Sequence, residues 1–221
     1  MATTAPVSAR RPGQAPGNKG RRYPAEVLEP SEVQAMLRLC SPTAPTGLRN
    51  RAMIVVMWRS GLRIGEVLAL HPKDVDHGRG AITVLRGKGG KRRTVGMDPE
   101  ALAVVERWLD VRGRVAAERG WRPSLHPIFC TMAAGTAVKA PYVRELIHRL
   151  GARAGIAKRV HPHGFRHTCA FEMAMEGIPV HMIQRQLGHT NLNTTERYIS
   201  HVAPAQVIAA MRARRWSPQA D

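Results

Sequence analysis

Four short segments, far apart in the chain, carry residue types suited to phosphoryl transfer. In Ser60-Gly61-Leu62-Arg63-Ile64-Gly65-Glu66 an arginine follows a glycine break and opens a short helix. A guanidinium there can point off the helix end at a phosphate, with backbone N–H groups alongside, and Glu66 one turn on can brace it. In Gly87-Lys88-Gly89-Gly90-Lys91 the glycines let backbone approach a ligand while a lysine presents a proton donor. In His161-Pro162-His163-Gly164-Phe165-Arg166-His167 a helix beginning near His163 places His163 and Arg166 on one face, one turn apart. An imidazole exchanges protons near neutral pH, and a guanidinium grips phosphate oxygens at two points. The last segment runs through Leu187-Gly188-His189-Thr190 to Asn193-Thr194-Thr195-Glu196-Arg197-Tyr198. Its phenol is a weak nucleophile at a free pKa of about 10 and needs nearby cations or a base.

Taken singly, each segment has a plainer reading. Arg63 and Glu66 could be a surface pair on a helix, which contributes little. The Lys88 turn could be a solvated basic loop, His167 a core histidine and Tyr198 a packed aromatic. The glycine-lysine turn is not a P-loop, because the spacing and the Lys-Ser/Thr ending are absent. His163 and His167 have a metal-ligand spacing, but no glutamate lies between them and the adjacent arginines disfavour a cation.

The elements that must position these groups follow from periodicity and turn chemistry. Ser31-Glu32-Val33-Gln34 reads as a capping box opening a helix with Val33, Met36 and Leu37 inward. A second helix spans about 48–59, with Ala52 and Ile54 to Met57 as core, and Gly61 interrupts it before a short helix from about Arg63 to Leu70. Residues 81–85 and 93–95 are β-rich and flank the turn 87–90, which predicts a hairpin. Asp98 caps a long amphipathic helix carrying Leu102, Val105, Trp108, Leu109 and Val111. Another helix is expected near 141–154. From His161 onward short helices follow, separated by Gly177-Ile178-Pro179 and Leu187-Gly188-His189, and a last helix covers about 203–215. No internal repeat is visible. The fold class is mainly α with a small antiparallel β-hairpin or sheet (α+β).

The bulk composition points to the partner. The formal net charge is +18 and the pI about 11.4, which implies a polyanion, nucleic acid before anionic membrane. No apolar run is long enough to span a bilayer, and the N-terminus lacks the apolar stretch of a signal peptide. Cys40, Cys130 and Cys169 form no C-x-x-C pair, which suits a reducing compartment and small buried thiols. Residues 1–24 are rich in Ala, Pro and Gly and carry Arg10, Arg11, Lys19, Arg21 and Arg22, a basic arm unable to order itself. With Lys91 and Arg92 these are candidate phosphate contacts.

In this order and spacing the segments resemble the catalytic domain of the tyrosine recombinase (phage integrase) family, over about residues 25–205. The family's Gly-Leu-Arg-x-x-Glu, hairpin Lys, His-x-x-Arg, Leu-Gly-His and downstream Tyr fall on Arg63, Lys88, His163, Arg166, His189 and Tyr198. Phe165 stands where an aliphatic residue is commoner, and Lys91 competes with Lys88 as the hairpin match. Many relatives carry an N-terminal helical domain that clamps DNA, whereas a basic arm is expected here. The resemblance implies a site-specific recombinase or integrase acting on double-stranded DNA. In it Tyr198 attacks the scissile phosphate, forms a 3′-phosphotyrosyl link and frees a 5′-hydroxyl, with no metal or nucleotide cofactor. Arg63 and Arg166 would neutralise the phosphate, His163 would exchange the tyrosine proton, Lys88 would protonate the leaving oxygen and His189 would bind the phosphate. The implied organisation is an arm (1–24), a catalytic domain (25–202) and a C-terminal helix and tail (203–221) that docks on a neighbour in a homotetramer. The implied setting is the cytoplasm of a bacterium, on the nucleoid, or a phage or mobile element. One rival is a type IB topoisomerase, which uses similar chemistry to rejoin the same strand. Another is a DNA-binding regulator with a recombinase-like domain that needs a partner or does not itself recombine.

Overall fold

In a computed structural model of the protein, residues 27–85, 92–188 and 211–212 are described. The second helix, α2 (Pro45–Arg59), is the axis of the domain. It begins with proline at its first helical position, and its run from Ala52 to Met57 is buried all round. α1 (Pro30–Arg38) precedes it and sends Val33, Met36 and Leu37 into the core. The cap of α1 lies two residues earlier than the Ser31 box expected from sequence. Pro30 starts the helix, and Glu32 accepts the backbone N–H of Glu29 at 2.7 Å.

After α2 the chain turns at Gly61 into α3 (Ile64–Leu68). A 3-10 turn over Pro72–Asp74 leads to a three-stranded antiparallel sheet of β1 (Val75–Asp76), β2 (Ala81–Val84) and β3 (Arg93–Gly96). Ile82 faces Val95 and Val84 faces Arg93, so the expected hairpin is present with one further short strand. Its connecting residues 86–91 lie outside the described residues. Ile82, Val84 and Val95 point inward, as the period of two requires.

α4 (Pro99–Arg119) packs along α2. Asp98 caps it by accepting the Ala101 N–H at 2.9 Å, and Gly120 ends it in the left-handed region. Trp108 is fully buried, with its indole N–H donating to the Ile128 carbonyl at 3.0 Å. The apolar face differs from the expected one: Leu109 and Val111 are only half-buried while Arg112 is buried. Its guanidinium satisfies the carbonyls of Pro123, His126 and Pro127, groups a loop could not otherwise bury.

α5 (Ala140–Arg153), α6 (Pro162–Met175) and α7 (Val180–Leu187) complete the described fold. Ala170 and Ala174 of α6 and Ile183 and Leu187 of α7 form a small second core. Gly61 has φ +65°, and a Cβ on it would lie 2.5 Å from Leu187 Cδ2. Only glycine therefore lets α7 close on the end of α2, and a side chain there would cost about 1–3 kcal/mol in backbone strain alone. The last helix expected at 203–215 falls outside the described residues, save Met211 and Arg212.

Candidate active site

Arg63 is the residue that caps α3, with extended backbone, rather than its first helical residue. The position follows from Gly61, which ends α2 and redirects the chain, and from Glu66 at the third helical position. The Glu66 carboxylate accepts the Arg63 backbone N–H at 2.9 Å and Arg63 Nη1 at 3.0 Å. It is buried, and it also takes Arg93 Nη1 and Nη2 at 2.9 Å each. Burial alone would raise the Glu66 pKa. The bonds from Arg93 and from the Arg63 N–H, with both guanidinium charges, outweigh it and hold the pKa below the ordinary value.

α6 begins one residue before His163, with proline at its first position and His161 as its cap, Nδ1 accepting the Gly164 N–H at 3.3 Å. His163 and Arg166 thus leave one face of α6, one turn apart. Arg166 is only 1% exposed. It donates Nη1 to the Gly61 carbonyl at 2.7 Å and Nη2 to the Leu187 carbonyl. His163 is exposed at the cleft mouth, and its ring stands edge-on to buried His167 at 4.4 Å between centroids. Desolvation by the crowded cleft, then the charges of Arg166, His161 and Arg63, lower its pKa to about 4. The consequence is a neutral imidazole at pH 7.

Arg63, His163 and Arg166 line one cleft of about 740 Å³. Its other wall brings Arg144, His148 and Arg159, and Glu145 is the one acid among the described residues lining it. A cleft so charged suits a phosphodiester. The end of α2 is fixed to α6 nearby: Arg59 bridges Asp98 at 2.7 Å and Glu172 at 2.8 Å, and the Trp58 indole also donates to Glu172. Cys169 is an inert neighbour, its thiol pushed up to about 12 by burial and then by the Glu172 charge. No group of three or more metal-ligating side chains occurs among the described residues.

Lys88, Lys91, His189 and Tyr198 lie outside the described residues, as do Arg10, Arg11, Lys19, Arg21 and Arg22. Arg92 is exposed, one residue before β3. Sequence reasoning missed Arg93, Arg144, His148 and Arg159. For Arg93 a signal existed, since it is in phase with buried Val95 on a strand and so shares its inward face. Arg144 and His148 are one helical turn apart, which marks a shared face but not what it faces.

The family model described as the phage integrase family matches residues 26–204. The tyrosine recombinase XerC of Xanthomonas campestris pv. campestris (strain B100) is 35% identical over 217 residues, covering 96% of this chain and 62% of that protein. The tyrosine recombinase XerD of Ralstonia nicotianae is 36% identical over 179 residues, covering 80% of this chain and 56% of that protein. The crystal structure of XerA recombinase superposes with a TM-score of 0.72 at 27% identity, covering 92% of this chain and 70% of the other. The chain therefore belongs to the phage integrase family, and it spans 62% of the length of the XerC relative it matches.

The charge around His163 sets an observable. Its ring carbon resonances should stay unchanged from pH 8 to about 5 and titrate near 4. Replacing Arg166 with Met should raise that midpoint. Titration near the ordinary histidine value of about 6.5 would show that neither burial nor the cations act on the ring.

Proposed function

We propose that this chain is the catalytic domain of a site-specific DNA recombinase that cuts and rejoins strands through a 3′-phosphotyrosyl intermediate. The observation that carries the reading is the convergence of Arg63 and Arg166, from separate helices, on one cationic cleft beside a neutral histidine. Family membership and the likeness to XerH recombinase bound to a palindromic difH substrate in a post-cleavage complex support it (26% identity, TM-score 0.67, 84% of this chain and 52% of that one).

Mechanism follows from the donors. The Tyr198 Oη attacks phosphorus, a P–O bond to tyrosine forms, and the bond to the 5′ oxygen breaks. The phenol proton passes to the His163 imidazole, which is neutral at pH 7. The leaving 5′ oxygen takes a proton from Lys88, or from Lys91 if that lysine occupies the place. Arg63 and Arg166, with His189, hold the non-bridging oxygens as negative charge grows. Preorganised donors of this kind are each worth roughly 3 kcal/mol of barrier. One phosphodiester is exchanged for another, so the step runs back with a second 5′-hydroxyl and needs no energy source.

The partner is double-stranded DNA, with the arm's arginines, Lys19, Lys91 and Arg92 on phosphates outside the cleft. No helix of the described residues is long and apolar enough to cross a membrane. The proposed setting is the bacterial cytoplasm, on the nucleoid. The tail, 203–221, couples protomers in a homotetramer. Deleting residues 205–221 should impair pairing of two duplexes more than cleavage of one; equal loss of both would reduce the tail to a folding element.

Tyr198→Phe should abolish covalent adduct on a nicked duplex while DNA affinity stays within about twofold, since one hydroxyl carries the nucleophile and little of the binding. A covalent band that persists on a denaturing gel would remove Tyr198 from its role. Binding with no adduct in the wild-type chain would favour the regulator instead.

A further inference from the structure

Arg93 belongs to none of the motifs, yet it contacts the machinery at two points. Its Nη1 and Nη2 reach both oxygens of Glu66 at 2.9 Å each. Glu66 also accepts two bonds from Arg63, one from the backbone and one from the side chain. A carboxylate offers about four lone-pair sites, so the four contacts saturate it. Two guanidinium groups share one carboxylate, and the trio keeps a net positive charge. With Arg93 gone, Glu66 would be left with Arg63 alone. It would neutralise that charge and draw the guanidinium back from the cleft.

The second contact is with the chain leaving α7. Gly188 has φ +65°, and a Cβ on it would lie 2.7 Å from Arg93 Nε and 2.9 Å from Cδ. The Arg93 side chain is thus packed against the backbone that leads directly to His189. It also starts β3, two residues after Lys91. One residue therefore joins Glu66 of α3 to Gly188 at the end of α7.

We infer that Arg93 is a positioning residue for strand cleavage: its two-point grip on Glu66 shares that carboxylate's charge and aims Arg63 at the scissile phosphate, and its stem sets the backbone at Gly188. The inference rests on the cleavage reading above.

The test compares single-turnover adduct formation on a nicked duplex for wild type, Arg93→Met, Arg93→Lys and Arg93→Met/Glu66→Gln, alongside DNA affinity and thermal midpoint. Arg93→Met should slow adduct formation about tenfold or more with affinity within about twofold. The double variant should recover part of the rate, because the carboxylate that over-binds Arg63 is gone. A methylphosphonate at the scissile position lacks one charged oxygen, and on it the gap between wild type and Arg93→Met should shrink. Arg93→Lys keeps the charge but loses the fork, so it should fold and fall between the two. Unchanged rates in both single variants overturn the inference. Parallel loss of rate, affinity and midpoint, with no recovery in the double variant, also overturns it, since that is simple structural damage. No adduct in the wild-type protein removes the cleavage reading and this inference together; adduct in wild type with unaffected variants removes this inference alone.

Discussion

Arg166 leaves α6 one turn after His163 and ends between two backbone carbonyls, that of Gly61 where α2 stops and that of Leu187 where α7 stops. A buried guanidinium must have its hydrogens satisfied, and here carbonyls at helix ends supply the partial negative charge. The result is a joint. α2, α6 and α7 cannot separate without exposing a charge to an incomplete set of partners. The glycine at 61 is what makes the joint close enough, because any side chain there would meet Leu187 and Cys169. The cleft inherits its shape from this joint, with Arg63 two residues beyond Gly61 and His163 one turn before Arg166.

Electrostatics then divide the labour. The cleft gathers cations, and the only buried acid beside it, Glu66 among the described residues, is shared between Arg63 and Arg93. A carboxylate so placed orients Arg63 without cancelling the local field. Burial first, and then the same cations, hold the His163 pKa down to about 4. An oxyanion binds where charge has been arranged in advance, and little has to move as the transition state forms. The bridge made by Gln186 serves the same end. Its amide joins the Gly96 N–H and carbonyl of β3 and the Ser60 carbonyl of α2, so the strand behind Arg93 is fixed to α7.

Much of this was legible in the residues. The helical periods, the Asp98 cap and the hairpin around residues 81–96 follow from local rules, and the structure has them. So does the pairing of His163 with Arg166, because an i,i+3 spacing puts both on one helix face. What was not legible depends on distant partners. Arg112 looks like a surface residue in its helix until three loop carbonyls 11–15 residues away need a donor. Arg93 looks like a strand-edge charge until Glu66, 27 residues back, is placed beneath it. The Ser31 box is a sound local pattern that loses to Pro30, whose fixed backbone suits the first helical position better. Arg144, His148 and Arg159 join the cleft only through the packing of α5 beside α6.

The proposed chemistry joins one phenol covalently to DNA in the field of Arg63 and Arg166. The most direct measurement is mass spectrometry of the protein–DNA adduct after nuclease and tryptic digestion. The expected product carries a nucleotide on Tyr198, linked through its 3′ phosphate, with a free 5′-hydroxyl on the released strand. A nucleotide on any other residue, or a 5′-phosphate linkage, would contradict it.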